Sequence, residues 1–133
     1  MSAFVDTSAL YAMLVSTEDG HQAVAEAFRE LAESGRRLVT SNYVLLETTA
    51  LLQQRFGLPP VRDLEQRVVP LLHVVWLTEP LHRKSLERLF RADRRGLSLV
   101  DCSSFVVMDL EGIREALALD SDFAREGYRL LPQ

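Results

Sequence analysis

Cysteine is nearly absent from this chain: Cys102 is the only one in 133 residues, so no disulfide can form within it. A disulfide-stapled secreted scaffold is thereby excluded, and a reducing cytoplasm is the expected setting. No apolar run approaches the roughly 20 residues of a membrane-spanning helix, so no membrane association is expected. The N-terminus, Met1-Ser2-Ala3-Phe4-Val5-Asp6, places no basic stretch ahead of an apolar one, and no signal peptide is expected. Lysine is as scarce as cysteine: Lys84 stands alone among 15 basic residues, and the rest are arginines. Arginine suits planar contacts to phosphate or carboxylate, although a GC-rich genome gives the same bias. The net charge of −4 argues against nucleic-acid binding by bulk charge. It does not exclude an enzyme acting on nucleic acid, because bound divalent cations would offset clustered carboxylates locally. Internal repeats, low-complexity tracts and interdomain linkers are absent.

What remains is an ordinary globular composition, 47% hydrophobic and 26% charged, of a length that suits one domain over residues 1–133. The run Ala3-Phe4-Val5 reads as a buried strand ending at Asp6, with a helix starting at Thr7. Asp19 and Gln22 have capping-box spacing ahead of an amphipathic helix that carries Ala23, Ala27, Phe28 and Leu31 and stops at Gly35. A strand over residues 37–40 follows, then a helix capped by Ser41 that runs to Phe56 and stops at Gly57. Pro60 opens another helix, broken near Pro70. Residues 73–77 read as a third strand, and Thr78 caps a long helix that ends at Gly96. A further apolar helix starts near Asp101 and ends at Gly112. Residues 116–119 form a strand ending at Asp120, and residues 128–131 a last one. Strands alternating with helices predict an α/β fold, a parallel sheet covered on both faces.

Four acids stand out by position. Asp6 and Asp120 each follow an apolar strand directly. Ligands of open α/β sheets bind outside those strand ends, where the strand order reverses. If the first and fourth strands are neighbours, both acids enter one crevice. Taken singly, either acid reads better as a helix cap or turn residue. Glu47 lies inside a helix and at helical spacing shares a face with Val44 and Leu51. An acid on a core-facing stripe must be paired, protonated or bound to a cation, so a buried ion pair with an arginine competes evenly with function. Asp101 opens the most apolar helix, where a helix cap is the simple explanation. Asp122 follows as a weaker ligand or a further cap. As a set, these carboxylates would repel one another without a cation, and hard divalent ions need several oxygen ligands. Sites of this kind hydrolyse phosphodiesters by polarising the phosphate and activating water.

The segments Phe4-Val5-Asp6-Thr7-Ser8-Ala9, Glu47 in its helix, Leu99-Val100-Asp101-Cys102-Ser103-Ser104-Phe105, Ala116-Leu117-Ala118-Leu119-Asp120-Ser121-Asp122-Phe123 and the closing Gly127-Tyr128 together resemble the PIN-domain ribonucleases. Within that family they resemble the VapC-type toxins of toxin–antitoxin pairs, over nearly the whole chain. The resemblance implies a three-layer α/β/α fold with a five-stranded parallel sheet. It implies that Asp6, Glu47, Asp101 and Asp120 hold one or two Mg²⁺ or Mn²⁺ ions, that Asp122 is the more variable additional acid, and that Thr7 or Ser8 and Ser104 support the pocket. It implies an RNA substrate, a homodimer, and an antitoxin whose C-terminal segment blocks the groove. Leu119 departs from the family, where an aromatic residue is frequent.

Other readings stay open at this point. A PIN nuclease without antitoxin and a catalytically inactive PIN scaffold fit the same residues. A haloacid-dehalogenase-like phosphatase would need a second Asp where Ser8 stands, and a receiver domain would need a lysine near the last strands. Lys84, Arg88, Arg91 and Arg95 form a helical stripe that can steer RNA, although a solvated face is the simpler account. Tyr11 and Tyr43 can stack on bases, with core packing favoured for both; Trp76 is expected in the core, and Cys102 as a small buried residue. His21, His73 and His82 show no ligand spacing.

Overall fold

The computed structural model describes residues 1–132. Five strands form one parallel sheet: β1 (Ser2–Val5), β2 (Arg37–Ser41), β3 (His73–Val75), β4 (Glu115–Leu117) and β5 (Arg129–Leu131). Their order is β3-β2-β1-β4-β5. The chain moves outward from β1 to β3, then crosses back to place β4 on the other side of β1. The strand order therefore reverses between β1 and β4, where Phe4 lies opposite Val39 on one side and Ala116 on the other. Central strands buried on both faces must be apolar throughout, and Ala3, Phe4 and Val5 are fully buried.

Seven helices cover the sheet: α1 (Thr7–Leu14), α2 (His21–Glu33), α3 (Asn42–Phe56), α4 (Pro59–Asp63), α5 (Glu79–Ala92), α6 (Leu99–Glu111) and α7 (Asp122–Arg125). The result is the expected three-layer α/β/α arrangement. A π turn (Leu64–Val68) and a 3-10 turn (Val69–Leu71) connect α4 to β3. An aromatic group packs within the core: Phe105 meets Phe123 edge-on at 5.0 Å and stacks on Tyr128 at 5.6 Å. The Tyr128 hydroxyl donates to Asp109, and burial together with that acceptor pushes its pKa up to about 12. Cys102 is buried, as expected.

Several local expectations are corrected. The Asp19/Gln22 capping box does not form. The cap of α2 is Gly20, in the left-handed region at φ 82°, with no side-chain cap. A Cβ there would lie 3.3 Å from Leu119, so the tight turn and the close approach both favour glycine. Helix α5 ends at Ala92 rather than Gly96, because Asp93 takes the left-handed conformation that Asp tolerates. Thr78 occupies its N-cap without a side-chain hydrogen bond. Trp76 is 70% exposed rather than in the core. It follows a three-residue edge strand, and no further strand covers that flank.

Candidate active site

Asp6 leaves the end of β1 as the N-cap of α1 and is only 3% exposed. Its Oδ2 accepts from the Ser8 backbone N–H (3.2 Å) and the Ser8 hydroxyl (2.7 Å). That hydroxyl in turn accepts from the Leu119 N–H at 2.9 Å, so Ser8 ties the end of β1 to the segment after β4. Adjacent strands and one shared serine thus explain how acids at positions 6 and 120 meet. Burial raises the Asp6 pKa from 3.8 to about 6 against the lowering effect of the Ser8 bonds, and the Asp101 charge adds to the rise.

Asp101 is not the cap of α6. Ser98 is the cap, and Asp101 occupies the third helical position of a capping box, its Oδ2 accepting from the Ser98 N–H at 3.2 Å. Burial raises its pKa, and the Asp120 and Glu47 charges act in the same direction. Asp120 accepts from the Asp122 N–H at 2.9 Å, a turn that folds the segment back on itself. Carboxylate oxygens of Asp101, Asp120 and Asp122 lie within 4.8 Å of one another. Asp122 is also held by Arg94 at 3.2 Å, with Arg125 at 3.9 Å.

The face of Glu47 differs from expectation. The buried stripe of α3 is Val44, Thr48 and Leu52, whereas Leu51 is 43% exposed. Glu47 and Leu51 lie on the adjoining face and line a cleft of about 430 Å³ with Asp6, Ser8, Asp101 and Asp120. Glu47 makes no ion pair among the described residues, which removes the buried-pair reading. Thr7 sits beneath it: the Thr7 hydroxyl donates to the Val44 carbonyl at 3.4 Å and so joins α1 to α3. Ser104 donates to Val100 inside α6, fully buried, and does not line the cleft.

Sequence reasoning missed two contributors. Glu18, in the turn after α1, also lines the cleft, and Arg94 holds Asp122. Neither carries a local signal; both are loop residues made adjacent by the fold. No lysine or arginine lines the cleft among the described residues. A larger groove of about 710 Å³ lies between α5 and α6. There Arg88 is turned inward and bound to Asp109 (3.0 Å) and Glu126 (3.2 Å), which breaks the basic stripe in its middle.

The donor set is all oxygen, with neither histidine nor cysteine, and suits a hard divalent cation. Acids from the ends of two adjacent strands and from the faces of two helices, converging where a five-stranded parallel sheet reverses order, give the decisive pattern. A family model described as "PIN domain" matches residues 3–127.

The chain belongs to the PIN domain family.

Its similarity to named PIN proteins is substantial. The "23S rRNA-specific endonuclease VapC20" of Mycobacterium tuberculosis is 37% identical over 126 residues, 94% of each chain. The crystal structure of that protein, described as a sarcin–ricin loop cleaving toxin, superposes with a TM-score of 0.82 at 35% identity, covering 96% of both chains. PAE2754 from Pyrobaculum aerophilum (TM-score 0.68, 19% identity, 98% and 90% covered) and FitAcB from Neisseria gonorrhoeae (0.70, 13%, 96% and 95%) share the fold. The VapC-type resemblance read from the sequence agrees with the first of these relatives.

Proposed function

We propose that this chain is a metal-dependent endoribonuclease of the VapC type, acting as one PIN domain and cleaving structured ribosomal RNA. The observation that carries the reading is the convergence of Asp6, Glu47, Asp101 and Asp120 in one cleft that, among the described residues, no lysine or arginine lines. VapC20, similar over nearly the full length, supports RNA over DNA and makes 23S rRNA the first substrate to test.

Mg²⁺ or Mn²⁺ would be held by Asp6, Glu47, Asp101 and Asp120, with Asp122 as the weaker ligand. When bound, such an ion polarises the phosphate and activates water for in-line attack, without the RNA 2′-hydroxyl as nucleophile. The chain's own residues arrange the donors. Ser8 fixes the Asp6 carboxylate from one side. The capping box fixes Asp101, and the turn at Asp122 fixes Asp120. Arg94 holds Asp122 and offsets part of the negative charge at the cleft edge. Thr7 sets the spacing between α1 and α3, and thereby the position of Glu47. Ser104 acts at most through the packing of α6.

Partners follow from exposed apolar surface. Leu51 (43% exposed) and Leu119 (46%) flank the acids and suit an antitoxin segment laid across the cleft. Leu46 (71%) and Trp76 (70%) border an apolar groove with Leu45, Val69 and Val74, which suits a second copy of the chain in a homodimer. No helix among the described residues is long and apolar enough to cross a membrane. A cytoplasmic site of action belongs to this reading.

The direct test is incubation of total RNA and purified ribosomes with the protein and Mg²⁺ or Mn²⁺, with 23S rRNA ends mapped by primer extension. Discrete cleavage by wild type, absent in excess EDTA and in the Asp6→Asn and Asp120→Asn variants, is expected. Equal cleavage by wild type and Asp6→Asn would move the reading to an inactive scaffold with a contaminating nuclease.

A further inference from the structure

An acidic cleft repels the polyanion it must bind, so the RNA strand needs a cation near the mouth to hold it in register. The wall of α3 that faces the cleft carries Glu47 and Leu51, and helical spacing continues it to Arg55. Eight residues along a helix correspond to about 12 Å, so Arg55 sits clear of the acids but on their side of α3. Its guanidinium donates to the Tyr11 hydroxyl at 2.8 Å, and Tyr11 itself lines the acid cleft. The same guanidinium lies 5.6 Å from the ring centre of Phe56.

Both partners are neutral. Arg36, Arg37, Arg83, Arg88, Arg94 and Arg129 are each bound to a carboxylate. Arg55 makes no ion pair among the described residues, so its charge is placed but not neutralised. Arginine presents several N–H donors in a planar fork, and one bond to Tyr11 leaves the others for a phosphate. The aromatic contacts hold the fork without consuming its charge.

From this arrangement we propose that Tyr11 and Arg55 form a phosphate-holding subsite at the mouth of the acid cleft, gripping an RNA phosphate beyond the scissile one. Arg55 supplies the contact and Tyr11 positions it. The inference rests on the ribonuclease reading above.

The test uses the full-length Asp6→Asn protein, which does not cleave, with two fluorescein-labelled probes: mixed-sequence single-stranded RNA and the sarcin–ricin stem-loop of 23S rRNA. Dissociation constants are measured by anisotropy across a KCl series. Arg55→Ala is expected to weaken binding five- to tenfold and to lower the slope of log K against log [KCl] by about 0.7, the value for one phosphate contact to a single strand. Arg55→Lys restores most of the slope and part of the affinity. Tyr11→Phe keeps the ring and removes the anchor; it weakens binding by a smaller factor and leaves the slope unchanged. Arg29→Ala, an exposed arginine on α2, controls for bulk charge. In the cleaving enzyme Arg55→Ala raises KM and leaves kcat near wild type.

An unchanged affinity and slope in Arg55→Ala overturns the subsite while leaving the ribonuclease reading intact. An equal loss in Arg29→Ala overturns it too, because the effect is then bulk charge. Intact RNA affinity with lost affinity for an acidic peptide assigns Arg55 to protein contacts and likewise overturns it. Failure of the parent protein to bind either RNA overturns both.

Discussion

Replacing Asp6 by asparagine is expected to abolish cleavage while making the metal-free protein more stable. Asp6 is 3% exposed, and its pKa stands near 6 against 3.8 in an ordinary carboxyl group. The fold therefore prefers the protonated form. Stability from this group is fully present below pH 3.8 and is lost as pH rises through 6. At ~1.4 kcal/mol for each pKa unit, the charged carboxylate costs the metal-free fold about 3 kcal/mol at pH 8. Asparagine is neutral, nearly isosteric, and keeps an oxygen to accept from Ser8. The variant should gain about 2–3 kcal/mol at pH 8, or roughly 6–12 °C in Tm for a domain of this size. At pH 4 the gain should shrink to about 0.5 kcal/mol. Saturating Mg²⁺ or Mn²⁺ should bring the two melting curves together, since only wild type then gains the binding term, about 2.7 kcal/mol at a hundredfold excess over Kd. Circular-dichroism melts of both proteins from pH 4 to 8, in EDTA and in metal, read all of this. Equal melting of the two proteins in EDTA at pH 8 would refute the reasoning, because it would mean Asp6 carries no desolvation cost in the fold.

Other outcomes follow from the same geometry. Metal affinity should fall as pH drops through 6, and loading near that pH should release protons, because Asp6 and Asp101 both hold them too tightly in the free cleft; calorimetry in buffers of different ionisation enthalpy measures the release. Ser8→Ala should cost about 1–3 kcal/mol in chemical denaturation and weaken metal binding, since the Asp6 carboxylate and the Leu119 N–H lose their shared partner. Arg94→Ala should leave the fold intact and raise metal affinity while lowering turnover, if Asp122 is drawn from arginine to cation; titration calorimetry beside a cleavage assay separates the two. If the proposed homodimer forms through this groove, Trp76→Arg should leave only monomer in light scattering where wild type gives a dimer, because a charge there cannot be buried against a second copy.

The sequence by itself determined that five strands alternate with helices, and some of the boundaries between them. Three fully buried residues before Asp6 had to form a central strand, because only an interior position tolerates an unbroken apolar run. Ser41 and Gly57 bounded α3 because capping is local chemistry, read from a few adjacent residues. The candidate acids at strand ends were legible for the same reason. Tertiary structure alone decided which faces and neighbours they have. Spacing placed Glu47 with Val44 and Leu51, but the buried stripe is the adjoining one, and that rotation turns Glu47 from the core into the cleft. Helical period gives the faces of a helix without saying which face the sheet covers. Trp76 is apolar enough for a core, and only the edge position of β3 leaves it exposed. The pairing of β1 with β4, which sets Asp6 beside Asp120, joins residues more than a hundred positions apart through contacts no local pattern encodes. The carboxylates were written in the sequence; the pocket exists because the sheet reverses its order between those two strands.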